Sequence, residues 1–109
     1  MSKQPLKQLS VSELKKINKK SINLIDVREP NEFELAHIPN STNVPLKTLL
    51  SSPNDYIKDT THIVCASGSR SKKVCKKLHK KGFEVINILG GTSAYGKNYS
   101  LIRYIKTGK

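Results

Sequence analysis

The amino-acid sequence predicts an α/β fold in which helices cover both sides of a mainly parallel sheet. Two observations lead to this prediction. Apolar runs of strand length alternate with segments of helical periodicity, and no internal repeat or domain linker interrupts them. The run at residues 22–27 is apolar at both alternating positions, which is typical of a parallel strand buried on both faces, and similar runs follow at 61–65 and 83–89.

Length and composition indicate a single domain with an aliphatic core. The chain has 109 residues, of which 36% are hydrophobic, and it contains no tryptophan. We expect one domain over residues 1–109, with its core at about 8–98 and a tail at 99–109. No run approaches the roughly 20 apolar residues of a membrane helix, and the N-terminus lacks the apolar core of a secretion signal. A cytoplasmic location, in which both cysteines stay reduced, is therefore expected.

The net charge of +12 is distributed unevenly along the chain. Residues 26–34 carry four acids and one base, whereas residues 70–81 carry seven bases and no acid. A basic chain can bind nucleic acid, but no aromatic residues interleave with these lysines and no zinc-finger or RNA-binding motif is present. Because a lysine-rich helix is more often a solvated face, nucleic acid is not expected as a partner.

The N-terminal segment predicts a short edge strand followed by a helix. The strand is expected at residues 8–9. Ser10 and Glu13 stand three residues apart, as in a capping box, so the helix begins after Ser10. Apolar residues then recur on one helical face, and the helix is expected to end near Lys20 or Ser21.

The middle of the chain predicts two short helices separated by a loop. Pro30 fits the first turn of a helix that runs to Leu35, with Phe33 as its contact with the core. Two prolines and several small polar residues make residues 36–46 a loop that encloses a brief strand near 42–43. The elements expected next are a short helix at 46–50 and a polar connection at 51–60 that is anchored by Tyr56 and Ile57.

The C-terminal part predicts two further helices and a docked tail. The first helix opens at Ser69 or Ser71 and is capped at its end by Gly82. Its apolar stripe consists of Val74, Cys75 and Leu78. Thr92 can cap the N-terminus of the second helix. The tail from residue 98 onward is expected to dock as one or two amphipathic turns through Leu101, Ile102, Tyr104 and Ile105.

The segment at residues 65–71 is the part of the sequence best suited to chemistry. Cys65 ends an apolar strand, and small turn-forming residues and Arg70 lead from it into the lysine-rich helix. Backbone N–H groups in such a loop can form an anion-binding nest, which favours a thiolate over a thiol. We therefore predict that Cys65 is the catalytic nucleophile. The predicted anion cradle consists of Ala66, Ser67, Gly68, Ser69 and Arg70.

Two further arguments bear on this loop. A buried cysteine that packs as a small hydrophobe is the alternative, but Gly68 and the neighbouring serines do not resemble core residues. In parallel sheets, functional groups gather at the carboxyl ends of the strands. The segments 26–29, 65–70 and 89–92 each follow a predicted strand, so we expect them to converge on one edge of the sheet.

Three segments, taken together and in this order, resemble the rhodanese-like sulfurtransferase domain. They are Leu24-Ile25-Asp26-Val27-Arg28-Glu29-Pro30-Asn31-Glu32-Phe33 with His37-Ile38-Pro39 and Asn43-Val44-Pro45 after it, Cys65-Ala66-Ser67-Gly68-Ser69-Arg70-Ser71, and Leu89-Gly90-Gly91-Thr92-Ser93-Ala94-Tyr95. The resemblance spans about residues 9–95 and implies a single domain with about five mainly parallel strands. Three positions depart from the family pattern: Ala36 and Asn40 stand where glycine is frequent, and Tyr95 where tryptophan is usual.

The resemblance also implies a reaction of the thiosulfate:cyanide sulfurtransferase type, without a cofactor. Cys65 would attack the outer sulfur of thiosulfate or a similar anionic donor, release sulfite and hold the sulfur as a persulfide. Cyanide, a thiol or an acceptor protein would then take the sulfur, which gives ping-pong kinetics. The lysines after Arg70 would attract the donor or an acidic acceptor protein.

Two alternatives to this reaction remain. The first is a rhodanese-fold binding or regulatory module, or a sulfur carrier, without significant thiosulfate turnover. The second is cysteine-phosphatase chemistry, which uses a longer cradle between cysteine and arginine. Because only four residues separate Cys65 from Arg70 here, the ring suits a sulfur-sized centre better than a phosphate.

The supporting residues are expected to be mainly structural. Asp26 can accept N–H bonds from its loop, and Arg28 is expected to pair with Glu32 beside the site. Arg70 either binds the donor or only shapes the loop through its planar guanidinium group, and the sequence leaves both possibilities open. His37 is expected to pack or to bond within its loop.

The remaining candidates for chemistry are expected to take no part in it. His62 and His79 are expected on the surface, and no histidine or cysteine cluster has metal-ligand spacing, so no metal site is predicted. Cys75 is expected to be a packed thiol on the inner face of its helix. A redox role for Cys75 would require a disulfide with Cys65.

Overall fold

A computed structural model, which describes residues 5–103, contains a parallel sheet between two layers of helices. The strands in chain order are β1 (Lys7–Leu9), β2 (Asn23–Asp26), β3 (Ala36–His37), β4 (Thr42–Asn43), β5 (Thr61–Val64), β6 (Val85–Ile88) and β7 (Ile102–Arg103). Five of them form the parallel sheet in the order β1-β6-β5-β2-β4, while β3 and β7 pair antiparallel as a separate ribbon. The predicted α/β fold with about five mainly parallel strands is confirmed.

Six α-helices and one 3-10 turn connect these strands. They are α1 (Val11–Lys16), the 3-10 turn (Lys19–Ser21), α2 (Pro30–Leu35), α3 (Leu46–Ser51), α4 (Pro53–Tyr56), α5 (Ser69–Lys80) and α6 (Gly91–Asn98). None of the helices in the described part of the chain is long and apolar enough to cross a membrane.

The core lies on both faces of the sheet, which explains why apolar residues occupy neighbouring positions in β2 and β5. Ile25 and Ile63 belong to a cluster on one face, where residues of α3 and α5 pack. Leu24 and Val64, their direct neighbours in sequence, belong to a cluster on the other face with residues of α1 and α6. Burial of each such side chain stabilises the fold by roughly 1.5–3 kcal/mol.

The first helix is shorter than predicted. The capping box is present, because the Ser10 hydroxyl accepts from the Glu13 N–H at 3.1 Å and the Glu13 carboxylate accepts from the Ser10 N–H at 2.9 Å. However, α1 ends at Lys16 rather than near Lys20 or Ser21. The side chain of Asn18 caps a separate 3-10 turn, and this local bond competes with continuation of the α-helix.

Four further expectations differ from the structure. The connection predicted at 51–60 contains the short helix α4, although Tyr56 and Ile57 do pack against the core as expected. Phe33 is only half-buried and stacks on His37 with ring centroids 3.8 Å apart, so it is not a core contact. His62 is buried rather than exposed because β5 is the central strand. Ile102 enters β7 instead of a helical turn, while Tyr104 and Ile105 lie outside the described residues.

Asn40 accounts for one departure from the family pattern. Its backbone has φ +69°, a left-handed conformation in which glycine is unstrained and asparagine is among the best tolerated alternatives. The loop between β3 and β4 therefore keeps the shape that a glycine would allow.

Candidate active site

Cys65 lies directly after β5, at the carboxyl edge of the sheet, and is fully buried. Its Sγ accepts two backbone hydrogen bonds, from the Gly68 N–H at 3.1 Å and from the Ser71 N–H at 3.2 Å. The loop thus closes around the sulfur and aims two N–H dipoles at it. An anionic sulfur accepts stronger hydrogen bonds than a neutral thiol, so these two donors are placed to stabilise negative charge on Sγ.

Gly68 gives the loop its curvature. It has φ +98° and stands at the N-cap of α5, where the chain must turn into the helix. A Cβ atom at this position would lie 3.0 Å from the backbone nitrogen of Gly90, which is tighter than ordinary contacts. Glycine is therefore required both by the backbone angle and by the close approach of the neighbouring loop.

The cradle has one donor that the sequence did not suggest. Of the five cradle residues predicted, only Gly68 donates its N–H to Sγ, and the second donor is Ser71 in the first turn of α5. The N–H groups of Ala66 and Ser67 have no acceptor within the described part of the chain.

Ser71 is anchored by a buried polar contact with the neighbouring strand. Its hydroxyl lies within hydrogen-bond distance of Asn87 Oδ1 and of the Gly68 carbonyl oxygen. Asn87, in β6, in turn donates to Gln8 Oε1 at 3.1 Å. The signal for this contact was present in the sequence, because Asn87 is a polar residue inside an otherwise apolar strand.

Arg70 turns its guanidinium group toward the segment that follows β2. Both of its terminal nitrogens donate to the carboxylate of Glu32, each at 3.1 Å. The hydrogen bond from Arg70 lowers the pKa of Glu32, and the same bond raises the pKa of Arg70. The two side chains are 40% and 35% exposed, so the pair stabilises the fold by only about 0–1 kcal/mol.

Asp26 and Arg28 form a second, buried ion pair. Arg28 Nη2 donates to Asp26 Oδ2 at 2.8 Å and to the Ala36 carbonyl oxygen at 2.6 Å. Asp26 also accepts the backbone N–H of Arg28 at 3.0 Å, which is the loop bond predicted for it. The predicted pairing of Arg28 with Glu32 is wrong, because Arg28 precedes the N-cap of α2, Glu29, whose backbone is extended, and the four-residue spacing of a helix does not apply there.

The N-terminus of α6 lies against the Cys65 loop and forms the third segment of the site. The N–H groups of Thr92 and Ser93 donate to the carbonyl oxygens of Cys65 and Ala66 at 2.8 and 2.9 Å. This contact requires Gly91, because its φ is +60° and a Cβ there would lie 2.3 Å from the Cys65 oxygen. The N-cap is Gly90 and not Thr92 as predicted, and the Thr92 hydroxyl is buried without a hydrogen-bond partner among the described residues.

The three predicted segments therefore meet at one edge of the sheet. Comparison with known proteins identifies the family to which this arrangement belongs. The family model for the rhodanese-like domain matches residues 10–98, which is most of the chain. This chain belongs to the rhodanese-like domain family.

Several relatives of this rhodanese-like domain cover most of its length. Bacillus subtilis YtwF, named as a candidate sulfurtransferase, is 34% identical over 93 residues, which cover 83% of this chain and 90% of YtwF. The crystal structure of a rhodanese-like domain protein from Staphylococcus aureus superposes with a TM-score of 0.77 at 32% identity and covers 94% of this chain and 100% of that one.

Other relatives of the rhodanese-like domain are longer. YrkF of Bacillus subtilis, named as a candidate sulfur carrier protein, is 40% identical over 73 residues, which are 65% of this chain but only 40% of YrkF. Two more curated relatives are matched over 60% and 35% of their own length. The family is thus represented by proteins named for sulfur carriage and for sulfur transfer.

The second cysteine of the rhodanese-like domain is a packed thiol, as predicted. Cys75 is fully buried on the inner face of α5, and burial, with a smaller contribution from the charge of Cys65, raises its pKa to about 12. It is therefore protonated and unreactive at neutral pH.

The structure also shows the surroundings of the three histidines. His37 Nδ1 lies 2.7 Å from the Phe33 carbonyl oxygen, which agrees with the predicted loop bonding. Burial lowers the pKa of His62, so its ring is neutral at neutral pH. His79 lies half-buried near the end of α5.

Proposed function

We propose that this rhodanese-like domain transfers sulfane sulfur through a persulfide on Cys65. The observation that carries the proposal is the pair of backbone N–H groups, from Gly68 and Ser71, that point at Sγ from 3.1 and 3.2 Å. They favour the thiolate before the reaction and stabilise negative charge on the sulfur afterwards. Backbone donors are held by the fold, so they need no rearrangement when the charge moves.

The proposed reaction consists of two displacements with thiosulfate as donor. The Cys65 thiolate attacks the outer sulfur, the sulfur–sulfur bond of thiosulfate breaks, and its electron pair leaves with sulfite. An acceptor, cyanide or a thiolate, then attacks the outer sulfur of the persulfide, and the electron pair of that bond returns to Sγ. Each step only exchanges one nucleophile for another at the transferred sulfur, so no cofactor or outside oxidant is needed.

The surroundings of Cys65 support an anionic donor. The N–H groups of Ala66 and Ser67 form no hydrogen bond with the described residues, and α5, which begins at this loop, carries a row of exposed lysines. These lysines are Lys72, Lys73, Lys76, Lys77 and Lys80. Their potential would speed the encounter with thiosulfate or with an acidic acceptor protein, and added salt would weaken the effect. A cytoplasmic location belongs to the same proposal, because a reducing compartment keeps Cys65 free.

A sulfur carrier that accepts sulfur from other persulfides, with little turnover of thiosulfate, is the second candidate. The observation that favours it is the Glu32–Arg70 pair, in which both terminal guanidinium nitrogens are already bound to a carboxylate. The only arginine of the loop is then occupied, and a negative charge lies close to the path of a dianionic donor. The relative named as a candidate sulfur carrier is consistent with this alternative.

The experiment that tests the proposal is a mass measurement on the purified protein. We expect thiosulfate to add the mass of one sulfur atom and cyanide to remove it with formation of thiocyanate. Cys65→Ser should not gain the sulfur, whereas the matched control Cys75→Ala should gain it like the parent. If no sulfane donor loads the protein, the proposal is wrong, and if only persulfide donors load it, the carrier function is favoured.

A further inference from the structure

An open pocket flanks the Cys65 loop on the side of α6 and β7. It has a volume of about 360 Å³, at the lower end of the range for small-molecule sites. Ala66, which directly follows Cys65, forms part of its wall together with Ser93 and Lys97 of α6 and Arg103 of β7. Thr92 and Ser93, which also line the pocket, donate their N–H groups to the carbonyl oxygens of Cys65 and Ala66, so the pocket adjoins the loop that holds the sulfur.

The wall of this pocket is positively charged. Arg28, Lys97 and Arg103 line it, and no acidic residue does. The charge of Arg28 is balanced by its buried partner Asp26. Lys97 and Arg103 form no salt bridge with any of the described residues, which leaves two uncompensated cations on one side of the pocket.

The rest of the wall suits a short organic molecule. Leu101 and Gly96 provide an apolar surface, while Ser93 offers an exposed hydroxyl. A pocket with apolar surface at one part and two cations at another fits a short carbon chain that ends in carboxylates. Cyanide and sulfite are too small to use such a pocket, so its occupant is a larger reactant.

We propose that this pocket binds the carboxylate end of an acidic thiol that accepts the sulfur from Cys65. The inference rests on the proposed function and assigns its acceptor class. Lys97 and Arg103 bind the carboxylates, and the thiol end of the same molecule reaches the persulfide past Ala66. The acceptor thiol loses its proton, its sulfur bonds to the outer sulfur of the persulfide, and the bond to Sγ breaks with its electron pair remaining on Cys65.

The test compares two acceptors, mercaptosuccinate and 2-mercaptoethanol, on protein whose Cys65 has been loaded with thiosulfate. The quantity measured is the ratio of their kcat/KM values, in the parent and in Lys97→Gln, Arg103→Gln and the double variant. Comparing this ratio between proteins cancels the different intrinsic reactivities of the two thiols. Exposed ion pairs are individually weak, so we expect the ratio to fall roughly fivefold to tenfold in the double variant.

Lys58→Gln is the matched control, because it removes one exposed positive charge from the connection before β5, at the edge of the sheet opposite to Cys65. Its ratio should equal that of the parent. An unchanged ratio in the double variant, or a fall in Lys58→Gln equal to that in Lys97→Gln or Arg103→Gln, would overturn the assignment of the pocket.

Intact mass before the acceptor is added separates this inference from the proposed function. If no persulfide forms on Cys65, both are wrong. If the persulfide forms and the ratio is insensitive to Lys97 and Arg103, only the acceptor site is wrong.

Discussion

Replacing Gly91 with alanine should detach α6 from the Cys65 loop. A non-glycine residue in the left-handed region costs roughly 1–2 kcal/mol. The added Cβ would lie 2.3 Å from the Cys65 oxygen and 2.6 Å from the Ala66 oxygen, both of them backbone atoms that cannot rotate away. The helix must therefore shift, which breaks or lengthens the bonds that Thr92 and Ser93 donate to these two oxygens.

The expected loss of stability follows from these contacts. Two backbone hydrogen bonds at about 1 kcal/mol each, added to the backbone strain, give a fall of roughly 3–4 kcal/mol in the free energy of unfolding. Gly82→Ala is the matched control, because Gly82 also has a positive φ, +95°, but no atom lies within 4 Å of the added Cβ. The control should lose only the strain, roughly 1–2 kcal/mol.

Urea unfolding followed by circular dichroism measures both free energies, since domains of this size usually unfold in one step. The rate at which thiosulfate loads Cys65, measured where both variants are folded, should also fall more in Gly91→Ala than in Gly82→Ala. If the free energies of unfolding of the two variants fall equally, within about 0.5 kcal/mol, the close approach of α6 to the Cys65 loop does not contribute to stability as described.

Three further predictions concern charged and titrating groups. Glu32→Gln should free Arg70 and raise kcat/KM for thiosulfate by roughly fivefold, as steady-state assays would show, and an unchanged or lower value would contradict this. Cys75 holds its proton to a pKa of about 12 in the folded state, so its contribution to stability is complete below about pH 8.5 and is lost as the pH rises to 12. Urea unfolding at several pH values should show that the free energy of unfolding falls less at alkaline pH in Cys75→Ala than in the parent. If it falls equally with pH in both proteins, this contribution of Cys75 is excluded. Asp26→Asn should cost about 3–5 kcal/mol in urea unfolding because it leaves the buried Arg28 charge unpaired, and a loss under 1 kcal/mol would show that the pair is not essential.

The fold could be predicted because burial on both faces leaves a direct trace in the sequence. The apolar runs around Leu24, Ile63 and Ile88 became strands that each contribute residues to both core clusters. The site segments could be placed for a related reason, since strands of one parallel sheet all end at the same edge. The ends of the elements were less predictable, as α1 shows, because a single side chain, that of Asn18, changed the local hydrogen bonding.

The partners within the site could not be predicted, because they depend on contacts between distant segments. Arg28 and Glu32 are four residues apart, yet each binds a different group, since Arg28 lies before α2 and Arg70 approaches Glu32 from 38 residues away. The donation from Ser71 to Sγ likewise depends on the left-handed turn at Gly68, which brings the first turn of α5 back over the cysteine.

These contacts divide the site into a backbone cradle that binds the sulfur and a set of surrounding side chains. Among residues 5–103, only backbone groups bind the sulfur, through the N–H of Gly68 and Ser71, and the carbonyls of its loop accept from the N–H groups of α6. Such a cradle recognises an anionic sulfur but cannot distinguish one sulfur compound from another, because it touches no other part of the substrate. Selection among donors and acceptors must therefore come from side chains around the cradle. We infer that the Glu32–Arg70 pair acts on the donor, while Lys97 and Arg103 act on the acceptor.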